Sequence, residues 1–119
     1  MAEGSMRRLG DSVDRLRRGL GLVPLDSLDR LRLAWPEVVG EGPASRSTPV
    51  AVRNGVLRVE AVDAATAEAL RWAERRTCRA VSGLLAQVAH DQGGRADRVD
   101  ALNVTIRRPG RRASEPWGP

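Results

Sequence analysis

Lysine, phenylalanine and tyrosine are missing from this chain, and isoleucine, cysteine and histidine each occur once. Without Phe or Tyr, a core must be assembled from Leu, Val, Ala and the three Trp. A single cysteine excludes an internal disulfide. One Cys and one His cannot close a four-ligand zinc site within one chain. No stretch approaches the roughly 18 apolar residues of a membrane span, and the N-terminus carries no apolar leader segment. A soluble cytoplasmic chain is therefore expected, with no metal, no cofactor and no small-molecule substrate.

All 20 basic residues are arginine, set against 15 acidic ones for a net charge of +5. Codon usage in a G+C-rich genome accounts for arginine replacing lysine, given how rich the chain is in Ala, Gly and Val. The charge itself remains, and a basic small domain points to a polyanionic partner. At 119 residues the chain has room for one domain.

Organisation follows from periodicity and punctuation. A helix fits residues 11–20, capped by Asp11 or Ser12, with Val13, Leu16 and Leu20 along one face. A second is expected from a cap at Asp26 or Ser27 through Leu28, Leu31 and Trp35, with Pro36 breaking or kinking it. Residues 37–48 read as a helical turn mixed with loop. Asn54-Gly55, the preferred pair of a two-residue type I′ turn, joins Pro49–Arg53 to Val56–Val62. That turn sets Val52 opposite Leu57 and Val50 opposite Val59, so these four share a face, with Arg53, Arg58 and Glu60 on the other. Asp63 then caps one long helix over residues 64–90, whose stripe is Leu70, Thr77, Val81, Leu84 and Val88. Val99–Arg108 alternates, placing Leu102, Val104 and Ile106 on one face.

The order is α-α-β-β-α-β, an α+β domain in which helices cover one face of a three-stranded sheet. Residues 1–10 are expected to be flexible, 11–108 to form the domain, and 109–119 to be a disordered basic tail.

Several pieces occur together in a telling order: Leu20-Gly21-Leu22, then Trp35-Pro36-Glu37-Val38-Val39-Gly40, then Thr48-Pro49. Asn54-Gly55-Val56-Leu57-Arg58-Val59 and an Ala-x-x-Leu-Arg helix start at Ala67 to Arg71 follow. From Leu16 to Ile106 the chain resembles the DciA family of bacterial proteins associated with the replicative helicase. The resemblance implies a fold related to the type II KH domain, although the chain has no G-x-x-G loop to clamp a nucleic-acid backbone. It also implies a non-enzymatic role in recruiting or loading a DnaB-type helicase, with affinity for DNA. Thr66-Ala67 stands where many relatives carry Trp-Ala, so that aromatic is absent here or has moved to Trp72.

Candidate binding residues sort into three groups. On the long helix Arg71, Arg75 and Arg79 fall at about 100°, 140° and 180° from Leu70, with Trp72 and Arg76 near 200° and 240°. A Trp there can stack on a base while guanidinium groups hold phosphates, which suits a single strand. The alternative is a solvated face with Trp72 covered by the N-terminal helices or the tail. The second group, Arg53, Arg58 and Arg107, lies on the open sheet face, and Arg108, Arg111 and Arg112 continue it into the tail. That face has no aromatic to form a stacking platform. Trp35 is either an anchor for a protein partner or a plug between helix and sheet. Catalytic chemistry finds little support: Ser82 and Thr77 share a helix without a nucleophile elbow, His90 and Asp91 sit at a helix end, and Cys78 reads as a half-buried small hydrophobe. A general single-stranded DNA or RNA module without a helicase partner, and an interaction domain whose charge is codon bias, are the other classes compatible with the sequence.

Overall fold

In a computed structural model, residues 12–107 are described. They form helix α1 (residues 12–19), α2 (Leu25–Val39), α3 (Glu41–Ser45), β1 (Ser47–Arg53), β2 (Val56–Ala61), α4 (Ala64–Trp72), α5 (Glu74–Gln92) and β3 (Ala101–Ile106). The fold is α+β and KH-like, with one mixed sheet in the order β1-β2-β3. β1 and β2 are antiparallel, β2 and β3 parallel. A parallel neighbour needs a crossover, and α4 with α5 supplies it.

The Asn54-Gly55 turn forms as expected, both residues at positive φ (49° and 81°). From it the register runs Arg53↔Val56, Val52↔Leu57 and Ala51↔Arg58. It then departs from strict alternation. A bulge between Pro49 and Ala51 pairs Pro49, not Val50, with Val59. Pro49 has no N–H to give the ladder, and a bulge on an edge strand accommodates that lack. Pro49 takes the core position, and Val50 is left half-buried.

The long helix over residues 64–90 is two helices. Asp63 caps the first by accepting the Thr66 N–H at 2.7 Å, but the helix stops at Ala73, where φ is −96° and ψ 15°. Neither Gly nor Pro marks the place. The break coincides with two bonds to β3. The Arg71 Nη2 donates to the Val104 carbonyl at 3.1 Å, and the Leu102 N–H donates to the Glu74 Oε2 at 2.9 Å. Tertiary contacts outweigh local propensity here. The break also shifts the buried stripe, so Cys78 and Leu85 are buried and Leu84 only partly.

α2 begins at Leu25, with Pro24 at its N-cap in place of Asp26 or Ser27 and no side-chain cap bond, and it continues through Pro36. It ends at Gly40 (φ 95°), a backbone geometry that favours glycine. α3 occupies part of the expected loop. Core residues from α2, α4 and α5 pack on Val52, Leu57, Val59 and Val104, and no helix among the described residues covers the opposite sheet face. α1 departs from expectation too: Val13, Leu16 and Leu20 are all exposed.

Both sheet edges are engaged in part by hydrogen bonds from outside the ladder. Along β1, the Val23 N–H donates to Val52 O at 3.2 Å and the Asn54 N–H to Gly21 O at 2.8 Å. Arg32 Nε reaches Pro49 O at 3.1 Å. Along β3, Glu74 and Arg71 take the two backbone groups named above.

Gly21 (φ 78°) lies so close to the turn that a Cβ would stand 2.1 Å from the Asn54 Oδ1. Gly21→Ala is expected to lower unfolding free energy by about 1–3 kcal/mol in urea titration. Adding Asn54→Gly should return the part due to the clash but not the part due to positive φ. Asp63 makes a second, pH-dependent prediction. The hydrogen bonds from Thr66, aided by Arg46, hold its carboxyl below the ordinary range. Such a group stabilises above the unfolded carboxylate value, and loses that contribution as pH falls through its lowered one. Asp63→Ala should therefore lower Tm by a few degrees at pH 7 and by less near pH 3. Asp63→Asn should keep the cap at both.

Candidate nucleic-acid interface

Every arginine on this surface must either serve the fold or face solvent. Among the described residues, the fold uses Arg17 on the Val23 carbonyl (2.8 Å) and Arg18 on Asp97 (2.6 Å). Arg30 pairs with Asp26 and Asp91, and Arg46 with Asp63. Arg53, Arg58, Arg75, Arg76, Arg79 and Arg107 are exposed and make no ion pair with any described residue. Six of the residues singled out on sequence grounds are thus uncommitted cations.

The α4–α5 junction gathers four of the expected residues. Trp72 is the last residue of α4 and is 83% exposed, so neither α1 nor α2 covers it. It lines an open groove with Arg71, Arg75 and Arg76, between Ala69 and Glu74. Arg71 differs from its neighbours. Its guanidinium holds Val104 O and lies 3.8 Å from Glu68, so its work is structural and it fixes the junction against β3. Trp72 does not stand in for the aromatic that relatives carry near Thr66. Thr66 is buried at the start of α4, and Trp72 projects from the other end.

Arg79 lies one turn further on. With Arg75 it lines a second groove, closed on its far side by Arg98, Val99 and Asp100. Arg98 escapes sequence reasoning because its loop has no periodicity. Ser82 brings that loop in: its hydroxyl donates to Val99 O at 3.2 Å and accepts the Val99 N–H at 2.9 Å. Ser82 is thereby committed to structure. Cys78, beneath the same groove, has its thiol pushed up by burial and by the carboxylates of Glu74 and Asp100, which suppresses the reactive thiolate. Asp91 faces Arg30 and Gln87.

On the sheet, the outward rows run Arg53–Val56–Ala101, Ala51–Arg58–Asn103 and Thr48–Glu60–Thr105. Arg107 follows β3 on the same alternation. No helix among the described residues covers these rows, and they contain no aromatic ring. Arg108, Arg111 and Arg112, like residues 1–10 and the tail 109–119, lie outside the described residues.

Trp35 is not a surface anchor. It is 2% exposed, and its indole Nε1 donates to Ser47 Oγ at 3.0 Å. Ser47 in turn donates to Pro43 O at 2.6 Å. A chain without Phe or Tyr needs its large rings inside, and the indole N–H has found a partner there.

The interlocking of Gly21 with the Asn54 turn, and of Trp35 with Ser47, explains why these sequence pieces occur together. Residues 8–90 match the family described as "Dna[CI] antecedent, DciA". The chain belongs to the DciA family. This is a helicase-loader family of bacterial DNA replication, generally not catalytic, so a loader-type role connected with DnaB follows for the chain. Comparison with curated proteins gives no match. No helix among the described residues is long and apolar enough to cross a membrane.

The division of labour at the junction can be measured. Trp72→Ala should change unfolding free energy by less than about 0.5 kcal/mol, as an exposed ring contributes little packing. Trp35→Ala should cost about 3–5 kcal/mol. Arg71→Gln should cost about 1 kcal/mol through its half-exposed hydrogen bond to β3, while Arg75→Gln and Arg76→Gln leave the denaturation midpoint unchanged.

Proposed function

We propose that this DciA-family protein is a non-enzymatic replication accessory factor. It binds a DnaB-type helicase, helps to recruit or load it, and meanwhile contacts DNA without sequence preference. The α4–α5 junction is the primary DNA surface, and a single strand is its preferred substrate. The helicase partnership rests on family membership. The DNA surface rests on one observation: Trp72 stands in solvent beside Arg75 and Arg76, which have no carboxylate partner among the described residues. A tryptophan so exposed costs solubility and contributes no packing, whereas against an unpaired base it offers a stacking face. Arg75 and Arg76 lie beside it and Arg79 one turn along, where guanidinium groups can follow the phosphates leaving that base. Duplex DNA keeps its bases stacked and out of reach of the ring, so the surface favours single strands. The site is in the cytoplasm, at the nucleoid.

A fluorescently labelled oligo-dT should bind, with affinity falling steeply between 50 and 200 mM salt. Trp72→Ala should weaken that binding by about 1–3 kcal/mol, roughly 5- to 150-fold, at every salt concentration. Arg75→Gln/Arg76→Gln/Arg79→Gln should weaken it and flatten the salt slope by about 2, near 0.7 for each phosphate no longer neutralised. Binding indifferent to all four substitutions would remove the junction from consideration. Co-purification of the host's replicative helicase with the full chain tests the partnership. Strand binding without helicase would leave a general single-strand module.

A further inference from the structure

The open sheet face and the helix junction are separate surfaces: the helices pack on one side of the sheet, and Arg53, Arg58 and Arg107 lie on the other. Along α5 the core-facing direction is marked by Val81, with Leu85 and Val88 beside it. Arg75, Arg79 and Arg76 project at about 120°, 160° and 220° from it, on the side away from the sheet. Arg53, Arg58 and Arg107 project from the uncovered face of that sheet. The two sets therefore stand on different elements, the α5 arginines beside the β3 edge that Arg71 and Glu74 contact and the sheet arginines on its uncovered face.

The exposed sheet face also has a definite chemistry. Its rows present Arg53, Arg58, Asn103, Thr48 and Thr105, all of them hydrogen-bond donors, and Arg107 extends the set. Glu60 is the one acid among those rows. Arg, Asn and Thr are the side chains that contact phosphate and sugar oxygens. Other occupants fit less well. Each sheet edge is interrupted by bonds to its backbone, from Val23 and Arg32 on β1 and from Arg71 and Glu74 on β3, so a partner strand finds no continuous edge to add to. The apolar side chains on these rows are only Ala51, Val56 and Ala101, too little for the core of a protein interface. Without an aromatic ring the face has nothing on which to stack bases.

We infer that this sheet face is a second nucleic-acid site, taking a sugar–phosphate backbone without contacting bases, and that one chain holds two separate segments of nucleic acid, one on each side. The inference rests on the junction being a strand-binding surface. One site would stack and select single strands, and the other would be indifferent to base and strandedness. A strand occupying the junction leaves the sheet face free for another segment, so the domain acts as a bridge.

Amide and indole NMR shifts of the full chain, titrated with dT6 at low salt, test this directly. Such an oligomer is about 20 Å long at the 3.4 Å per nucleotide of a stacked strand, too short to reach around both sides. Two groups of shifts are expected, one around Trp72, Arg75 and Arg76, the other around Arg53, Arg58 and Asn103. Arg53→Gln/Arg58→Gln/Arg107→Gln should abolish only the second group, and Arg75→Gln/Arg76→Gln/Arg79→Gln only the first. In a second experiment, donor- and acceptor-labelled dT20 should show energy transfer that rises with protein and falls at excess. Either triple substitution should reduce it to background. Shifts confined to the junction, or energy transfer that survives loss of the sheet arginines, would overturn the second site while leaving the junction intact. Shifts at neither surface would overturn both.

Discussion

The grip on the Asn54-Gly55 turn from both sides is the constraint on which the rest of the domain depends. Gly21 accepts the Asn54 N–H, and the Asp100 N–H donates to Gly55 O at 2.7 Å. The segment leaving α1 and the loop entering β3 are thus fastened to the same two residues, nearly eighty positions apart in the chain. Both glycines are confined by more than their dihedral angles. A Cβ on Gly21 would strike Asn54, and one on Gly55 would meet the Asp100 carboxylate at 3.0 Å. A tip held in this way fixes the edges of the sheet, and the sheet in turn fixes the phase at which α4 and α5 are laid down.

Local signals were legible wherever the physics is local. The type I′ pair, the Asp63 cap and the alternation of β2 need only neighbours in sequence, and each stands where the residues put it. What escaped depended on distant partners. No breaker marks Ala73, because the break there goes with bonds from Arg71 and Glu74 to a strand thirty residues later. The bulge beside Pro49 follows from an absent N–H, whose effect on register shows only once the partner strand is paired. α1 has a regular apolar face, yet the core is completed without it. In the candidate site, the uncommitted arginines were legible from helical and strand periodicity. The structural duty of Arg71 and the approach of Arg98 were not, since both depend on where β3 and its leading loop come to rest.

The pieces that carry the family resemblance prove to be contacts between elements. Gly21 meets Asn54, and Trp35 meets Ser47 beside Pro43. They serve the scaffold, and Trp35, Pro49, Leu57, Val59, Ala67 and Leu70 among them are buried. Trp72 and the unpaired arginines of α5 belong to none of these pieces. Membership of the family therefore speaks first to the architecture, and of the proposed binding residues only Arg58 and Arg71 fall within those pieces. Two chains with the same fold could differ widely in how firmly they hold a strand.

The engaged edges of the sheet bear on assembly. Arg32 and the segment around Val23 interrupt one margin, Arg71 and Glu74 the other, so neither offers an unbroken run of backbone along which the sheet could be extended from chain to chain. An edge left open along its whole length would template pairing between copies of the chain. With its margins interrupted, the domain disfavours strand-to-strand addition, and contacts with other molecules fall to its side chains.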